Sequence, residues 1–213
     1  MNETLFYAGI GARVTPQPML DKFTALARDL EAAGLTLRSG GANGADTAFE
    51  AGVTSDSSKH IYLPWGGFND RPRGPSCDRL PGNCGHYWWQ AGEIAATLHP
   101  AWRYLTSGAK RLHTRNIFQV LGDDLRSPAL FVVCWTKDGA EDAPSISSRT
   151  GGTGTAIALA FNMGVPVFNF QNESASDRLA AFLQGKAELP GFEALAAMLA
   201  SRASARWPTE RAA

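Results

Sequence analysis

Three short glycine-rich segments carry residue types that could hold a phosphate. They are GIGAR at 9–13, SGGANG at 39–44 and TGGTGT at 150–155, and each precedes a helical pattern. Glycine lets the backbone turn sharply and lets a ligand approach main-chain N–H groups that no Cβ shields. The first turn of a helix adds unpaired N–H donors and the positive end of the helix dipole, which together favour an anion. The pattern therefore predicts a binding site for a phosphate-bearing ligand.

Two common phosphate motifs do not fit these segments. GIGARV lacks the third glycine of the dinucleotide fingerprint, and no G-x-x-x-x-G-K-[ST] occurs, so a standard dinucleotide site or Mg-triphosphate site is disfavoured. The C-x6-C-x-H spacing of Cys77, Cys84 and His86 matches no common zinc site. We expect a nucleotide-type ligand, no required cofactor and no metal ion.

Charged side chains beside the glycines could complete the site. Arg13 closes the first segment, where its guanidinium could reach a phosphate. Asp46 falls in the first turn of a predicted helix and would repel a phosphate bound there. It therefore either stabilises the helix or binds a sugar hydroxyl, and the sequence leaves both open.

The segment RLHTRNIFQVLG adds an arginine and an amide. Asn116 shares a helix face with Leu112 and Val120, so an amide lies on an otherwise apolar stripe. A buried amide must be hydrogen-bonded, and Asn116 either pins a neighbouring loop or binds the ligand. Arg115 lies on another face of the same helix, where it suits phosphate contact.

Hydroxyl and aromatic side chains extend the predicted site. Ser39, Thr153 and Thr155 could cap helices, contact phosphate, or do both. Trp65 and Phe68 lie on a long loop and could stack a base. No catalytic residue is predicted. The complete set of predicted ligand-binding residues is Gly9, Gly11, Arg13, Ser39, Gly40, Gly41, Ala42, Asn43, Gly44, Asp46, Trp65, Phe68, Arg115, Asn116, Gly151, Gly152, Thr153, Gly154 and Thr155.

Alternating strand and helix patterns position these segments. Apolar runs bounded by glycine or proline are too continuous for a sheet with one solvated face, so they predict buried parallel strands at 5–11, 35–41, 60–65, 130–135 and 164–170. Helical spacing predicts helices over 19–33, 45–52, 87–98, 109–124, 154–163, 174–184 and 191–204. The alternation indicates an α/β fold: one Rossmann-like domain spanning 1–213, with a mostly parallel sheet and helices on both faces. Its core covers about 5–172, followed by C-terminal helices within 173–206, and the glycine segments meet at the carboxyl edge of the sheet.

Two polar segments interrupt this alternation. Residues 64–86 are rich in proline and glycine without a sustained period, and residues 136–150 lead directly into the third glycine segment. Long structureless loops in a compact domain are usually functional, so either segment could be a lid.

Composition limits the classes of partner. The 213 residues contain 20 Lys plus Arg and 20 Asp plus Glu, so there is no global basic field, and any contact with nucleic acid must be a local patch. The absence of a basic leader and of an apolar run long enough for a membrane span predicts a soluble, cytoplasmic protein without a membrane partner. Three cysteines form no even disulfide framework, which fits a reducing compartment.

Several motifs together resemble a known family. SGGANGAD, the Arg115–Asn116 pair and GGTGTAIALAFNMGVPVF are similar to the Rossmann-like core of the DNA-processing protein A (DprA) family, within the SLOG superfamily. YLPWGGFN, HPAW and RNIFQVLG are similar to stretches of short, phage-type members, and the resemblance covers about residues 5–172. It implies a protein that binds nucleotides or single-stranded DNA, forms a homodimer, and acts in the host cytoplasm if viral. Longer members carry flanking domains for which this chain has no room, so recombinase loading is not expected.

The same superfamily leaves two alternatives open. Phosphoribohydrolases share GGTGT, but their motif continues into paired glutamates where this chain has Ala156, Ile157 and Ala158. This difference counts against an enzyme that cleaves the N-glycosidic bond of a nucleotide, without excluding one. The other alternative is a viral protein that sequesters a cyclic or ADP-ribose-type messenger.

Overall fold

A six-stranded parallel sheet forms the centre of the molecule. The computed structural model describes residues 4–72 and 74–186, together with residues 193, 195–197 and 200. The strand order is β4-β3-β2-β1-β5-β6, and every pairing is parallel. The strands are β1 Phe6–Gly9, β2 Thr36–Ser39, β3 Lys59–Tyr62, β4 Asp78–Arg79, β5 Val132–Cys134 and β6 Val167–Asn169. The predicted α/β, Rossmann-like fold class is confirmed, and each of the five apolar runs forms a strand.

Seven α-helices have both of their ends within the described part of the chain. They are α1 Gln17–Ala32, α2 Ala45–Gly52, α3 Pro81–Cys84, α4 His86–Leu98, α5 Ser107–Leu121, α6 Gly154–Asn162 and α7 Ala175–Gln184. Helix α5 begins where the Thr106 hydroxyl accepts a hydrogen bond from Ala109 N–H at 3.2 Å. It ends at Leu121, before the predicted boundary, because Gly122 has a φ of +77°. The helix predicted over 191–204 lies outside the described residues, apart from the few single positions given above.

Helices cover both faces of the sheet, as predicted. Helices α1, α2 and α7 pack on one face, where the rings of Phe23 and Phe49 stack with centroids 4.3 Å apart. Helices α4, α5 and α6 pack on the other face. Neighbouring strand residues point to opposite layers: Tyr7 belongs to the first and Ala8 to the second. Both faces are buried, which explains why the strands read as continuous apolar runs.

The described residues of the proline- and glycine-rich segment 64–86 are more ordered than the sequence indicates. It contains β4 and α3, both of which the sequence analysis missed. Arg71 fastens the segment, because its Nη2 lies 2.7 Å from Glu50 Oε1 and 2.7 Å from Asp78 Oδ1. Phe68 and Cys77 from this segment are buried in the core. The segment is therefore packed against the domain.

Asp138 holds the polar segment 136–150 in place by accepting hydrogen bonds from three hydroxyl groups. Asp138 accepts hydrogen bonds from Thr136 Oγ1 at 2.8 Å, from Ser147 Oγ at 2.6 Å and from Thr150 Oγ1. These bonds lower the pKa of Asp138 to about 2, against the opposing effect of its burial. Further along, Glu141 accepts a hydrogen bond from Asn169 N–H at 2.7 Å. The segment is thereby joined to the end of β6.

Within the described residues, none of the helices combines the length and the apolar character needed to cross a membrane.

Candidate functional site

A cleft of about 650 Å³ opens where β1 and β5 end. Strand β1 lies between β2 and β5, so the chain order reverses at this point of the sheet. Open parallel sheets bind ligands in the crevice outside the carboxyl ends of the strands at such a switch point. The lining comes from the segment after β1, the start of α2, helix α5 and the segment between β5 and α6: residues 10–14, 42, 46, 109, 112, 113, 115, 116, 119, 137 and 148–153.

The cleft brings together residues from all three glycine-rich segments. The predicted site residues that line it are Gly11, Arg13, Ala42, Asp46, Arg115, Asn116, Gly151, Gly152 and Thr153. Ala42 and Asp46 flank the start of α2, and residues 151–153 form a 3-10 turn directly before α6. Neither Gly44 nor Thr153, the N-cap residues of these two helices, supplies a side-chain cap. Two helix N-termini therefore border one cleft.

Arg115 forms part of the cleft floor and is 93% buried, with 7% of its surface exposed. Its Nη1 donates to Asn116 Oδ1 at 2.9 Å, and its Nη2 lies 3.5 Å from Asp46 Oδ2. Its Nε has no hydrogen-bond partner among the described residues. The guanidinium is consequently only partly satisfied by the protein.

Asp46 is the acid of this floor and is 2% exposed. Burial raises the pKa of Asp46, while the charge of Arg115 and the N–H groups of Ala42 and Gly11 act in the opposite direction. The Ala42 N–H donates to Oδ2 at 3.3 Å. Asp46 is the only carboxylate among the described residues that line the cleft. The contacts of the carboxylate to Ala42 N and Arg115 Nη2 are thus long for charge-assisted bonds.

Asn116 pins a glycine segment, which is one of the two roles that the sequence left open. Its Nδ2 donates to Gly152 O at 2.8 Å. Gln119 extends the same hydrogen-bond network when its side-chain amide is oriented so that both its oxygen and its nitrogen have hydrogen-bond partners. In that orientation its oxygen accepts from Gly40 N–H at 2.9 Å and from Arg115 Nη1 at 2.8 Å, and its nitrogen donates to Asn116 Oδ1 at 3.1 Å. Helix α5 therefore connects the segment before α2 to the segment before α6.

The other predicted site residues do not line the cleft: Gly9, Ser39, Gly40, Gly41, Asn43, Gly44, Trp65, Phe68, Gly154 and Thr155. Some serve close packing instead. A Cβ on Gly9 would lie 2.6 Å from Phe49 Cγ, and one on Gly40 would lie 2.0 Å from Arg115 Nη1. The buried Ser39 hydroxyl donates to Gly9 O at 2.7 Å and so joins β2 to β1.

Neither of the two loop aromatics lines the cleft, and Phe68 lies beside Arg115 instead. Phe68 is 6% exposed, belongs to the core, and has its ring centroid 5.9 Å from the Arg115 guanidinium carbon. Trp65 packs edge-on against Phe68, with centroids 5.3 Å apart. Asn69 from the same loop donates to Asn43 Oδ1 at 2.6 Å. The loop therefore contacts the cleft floor through Phe68 and Arg115, and neither Trp65 nor Phe68 lines the cleft.

Six polar cleft residues were not in the predicted set: His113, Gln119, Lys137, Ser148, Arg149 and Thr150. Gln119 is four positions after Arg115, so the polar stripe on α5 could have been extended to it. Lys137 follows the end of β5, and Arg149 directly precedes the third glycine segment. Both residues could have been predicted as site residues from the sequence, because each lies in a segment that reaches the carboxyl edge of the sheet.

His113 lies near the start of α6 and is neutral at pH 7. Its Nδ1 is 2.7 Å from Thr155 Oγ1, and its ring centroid is 4.4 Å from that of His99. Burial lowers the pKa of His113 to about 4, and the charges of His99 and Arg115 act in the same direction. The imidazole can therefore donate or accept a hydrogen bond without adding charge to the cleft.

The cleft combines a cationic rim with an apolar wall. Arg13, Lys137 and Arg149 are exposed at its edge, and Gly151 and Gly152 open onto free space, since an added Cβ would meet no atom within 4 Å. Ile10, Val14, Leu112 and neighbouring alanines supply the apolar surface. This arrangement suits a ligand with an anionic end and a flat or apolar body.

The remaining chemistry-bearing groups form no such constellation in the described part of the chain. No group of three or more His, Cys, Asp or Glu residues there could hold a metal ion. Cys77, Cys84 and Cys134 are free and buried, and burial raises the pKa of each thiol. Comparisons with protein-family models, with curated proteins and with solved structures found no match to this chain.

Proposed function

We propose that the chain is a nucleotide-binding protein whose ligand occupies the cleft between β1 and β5. The observation that carries the proposal is the convergence of three exposed cations and two helix N-termini without side-chain caps on one cleft at the switch point of a parallel sheet. The phosphate would lie against Gly151 and Gly152, with Arg149 and Lys137 neutralising its charge.

The apolar wall supports a nucleotide over a simple inorganic anion. Leu112 and Val14 offer surface that phosphate alone would leave uncovered, whereas a base can bury it. The cleft volume of about 650 Å³ also falls within the roughly 300–1,000 Å³ common for small-molecule sites. The resemblance of the glycine segments to DprA-like domains agrees with this proposal.

Binding without hydrolysis is the form of the proposal that the chemistry supports best. Ala156, Ile157 and Ala158 are buried in the core layer around α6, so the helix directs no carboxylate toward the cleft from these positions. The negative charge of Asp46 is balanced by the guanidinium of Arg115, whose Nη2 lies 3.5 Å from Asp46 Oδ2. Cleavage of an N-glycosidic bond needs a carboxylate free to stabilise positive charge on the sugar.

Calorimetric titration tests the proposal. The ligands are the four ribonucleoside 5′-monophosphates, inorganic phosphate, adenosine and a single-stranded oligonucleotide, at low and at physiological salt. We expect at least one monophosphate to bind more tightly than adenosine or phosphate. The double variant Lys137→Ala/Arg149→Ala should bind it at least about tenfold more weakly, equivalent to about 1.4 kcal/mol.

A matched control separates the site from general charge. Arg28→Ala removes an exposed arginine of α1 that does not line the cleft, and it should leave the affinity unchanged. The proposal is wrong if no monophosphate binds, or if the double variant binds as the parent does. Binding confined to the oligonucleotide, with a steep dependence on salt, would instead favour the single-stranded DNA prediction.

A further inference from the structure

Two buried groups on the cleft floor have complementary, incompletely used hydrogen-bonding capacity. Arg115 Nε is a donor without a partner among the described residues, although the side chain is 93% buried. Asp46 Oδ2 is an acceptor whose contacts to Ala42 N and Arg115 Nη2 are 3.3 and 3.5 Å long. Charge-assisted hydrogen bonds are usually about 2.7–2.9 Å, so the Asp46 carboxylate has capacity for a further, shorter bond. The Arg115 guanidinium belongs to a residue that lines the cleft and keeps one N–H without a partner among the described residues.

A hydroxyl group satisfies this pair, whereas a phosphate does not. A phosphate could accept from Arg115, but it would meet the negative charge of Asp46 at close range in a site of low dielectric constant. A hydroxyl both donates and accepts. Two adjacent hydroxyls can donate to the carboxylate and accept from the guanidinium at the same time.

The floor and the cationic rim of the cleft differ in their exposure to solvent. Arg13, Lys137 and Arg149 are exposed, whereas Asp46 and Arg115 are buried. The negative part of the ligand is therefore best placed at the rim, and its uncharged hydroxyl groups at the floor. A phosphate and a vicinal diol joined by one short unit describe a ribose 5′-phosphate.

We infer that Asp46 and Arg115 bind the 2′- and 3′-hydroxyls of the ligand, so that the cleft selects ribonucleotides over deoxyribonucleotides. This inference rests on the proposed nucleotide-binding function and names the class of nucleotide. Loss of one hydroxyl leaves a buried charged group without its partner. The expected selectivity is about ten- to a hundredfold in dissociation constant.

The test compares each ribonucleoside 5′-monophosphate with its 2′-deoxy counterpart by calorimetry on the parent chain and on Asp46→Asn. The asparagine keeps the shape and removes the charged acceptor. We expect the parent to bind the ribonucleotide at least about tenfold more tightly, and we expect the ratio in Asp46→Asn to fall close to one. Asp177→Asn is the matched control, because Asp177 is an exposed first-turn acid of α7 outside the cleft, and it should keep the parent ratio.

The possible results are distinguishable from one another. Equal affinity for ribo- and deoxyribonucleotides overturns the inference and leaves the proposed function intact. A ratio that persists in folded Asp46→Asn also overturns it. If no monophosphate binds, the proposed function and the inference fail together. If Asp46→Asn does not fold, 3′-deoxynucleotides on the parent replace it: affinity must drop when either hydroxyl is removed, and an unchanged affinity rejects the diol.

Discussion

Gly40→Ala should destabilise the protein by displacing the Arg115 guanidinium. A Cβ at this position would lie 2.0 Å from Arg115 Nη1 and 2.3 Å from the nearest atom of the Gln119 side-chain amide, whereas ordinary contact begins near 3.4 Å. Restoring that separation moves both side chains by more than an ångström. The move breaks the hydrogen bond that joins Arg115 Nη1 to Asn116 and the one that joins Gly40 N–H to Gln119.

The expected cost follows from those two bonds. A hydrogen bond to a charged group contributes about 1.5–3 kcal/mol and a neutral one about 1 kcal/mol. Gly40→Ala should therefore lower the free energy of unfolding by about 2–4 kcal/mol, a large part of the roughly 5–15 kcal/mol typical of a domain. Urea denaturation followed by far-UV circular dichroism measures this change directly.

Gly152→Ala is the matched control. A Cβ there meets no atom within 4 Å, and Gly152 is not among the positive-φ glycines, so we expect a change within about 0.5 kcal/mol. Because Gly152 lines the cleft, the same variant should weaken nucleotide binding. If Gly40→Ala is as stable as the parent, or if Gly152→Ala is the more damaging of the two, the packing of Arg115 described above is wrong.

Two further predictions concern pH. Burial lowers the pKa of His113 from its usual 6.5 to about 4, so the stability that depends on its neutral ring is complete above pH 6.5 and is lost as the pH falls toward 4. Urea denaturation between pH 7 and pH 4.5 should show that the free energy of unfolding falls less for His113→Gln than for the parent. An equal fall in both proteins would contradict this prediction. Asp138 has its pKa lowered from 3.8 to about 2 by three hydroxyl donors, so its contribution is present above about pH 3.8 and is lost as the pH falls toward 2. Asp138→Asn should be less stable than the parent at neutral pH, and its stability should fall less on acidification. An acid titration followed by tryptophan fluorescence checks this, and parallel titration curves for the two proteins would argue against the role of Asp138.

Most of the fold could be predicted because buried parallel strands leave a clear pattern in the sequence. Five strands are covered on both faces and read as apolar runs, and the helices between them keep their apolar spacing. Strand β4 was not predicted because it has only two residues, Asp78 and Arg79, and both are charged. Such a strand is specified by its pairing with β3 and by the ion pair between Asp78 and Arg71, neither of which is visible in its own residues.

The sequence predicts the location of the site in the fold better than it predicts the individual residues that line it. Glycines at the ends of parallel strands must converge at one edge, and three segments do so in the cleft. The sequence could not distinguish a glycine that faces a ligand from one that makes room for packing. Gly152 opens onto the cleft, whereas Gly9 and Gly40 accommodate Phe49 and Arg115. That difference depends on side chains that arrive from distant elements.

Mapping of amide chemical shifts during titration with a nucleoside monophosphate tests the central claim most directly. We predict that the largest shifts occur at Gly11, Ala42, Gly151 and Gly152 around the cleft between β1 and β5. A second cleft of about 530 Å³, lined by Leu63, Gly67 and Arg79 among others, lies on the segment after β3. Shifts confined to that cleft, or no shifts at the glycine segments at saturating ligand, would contradict the account.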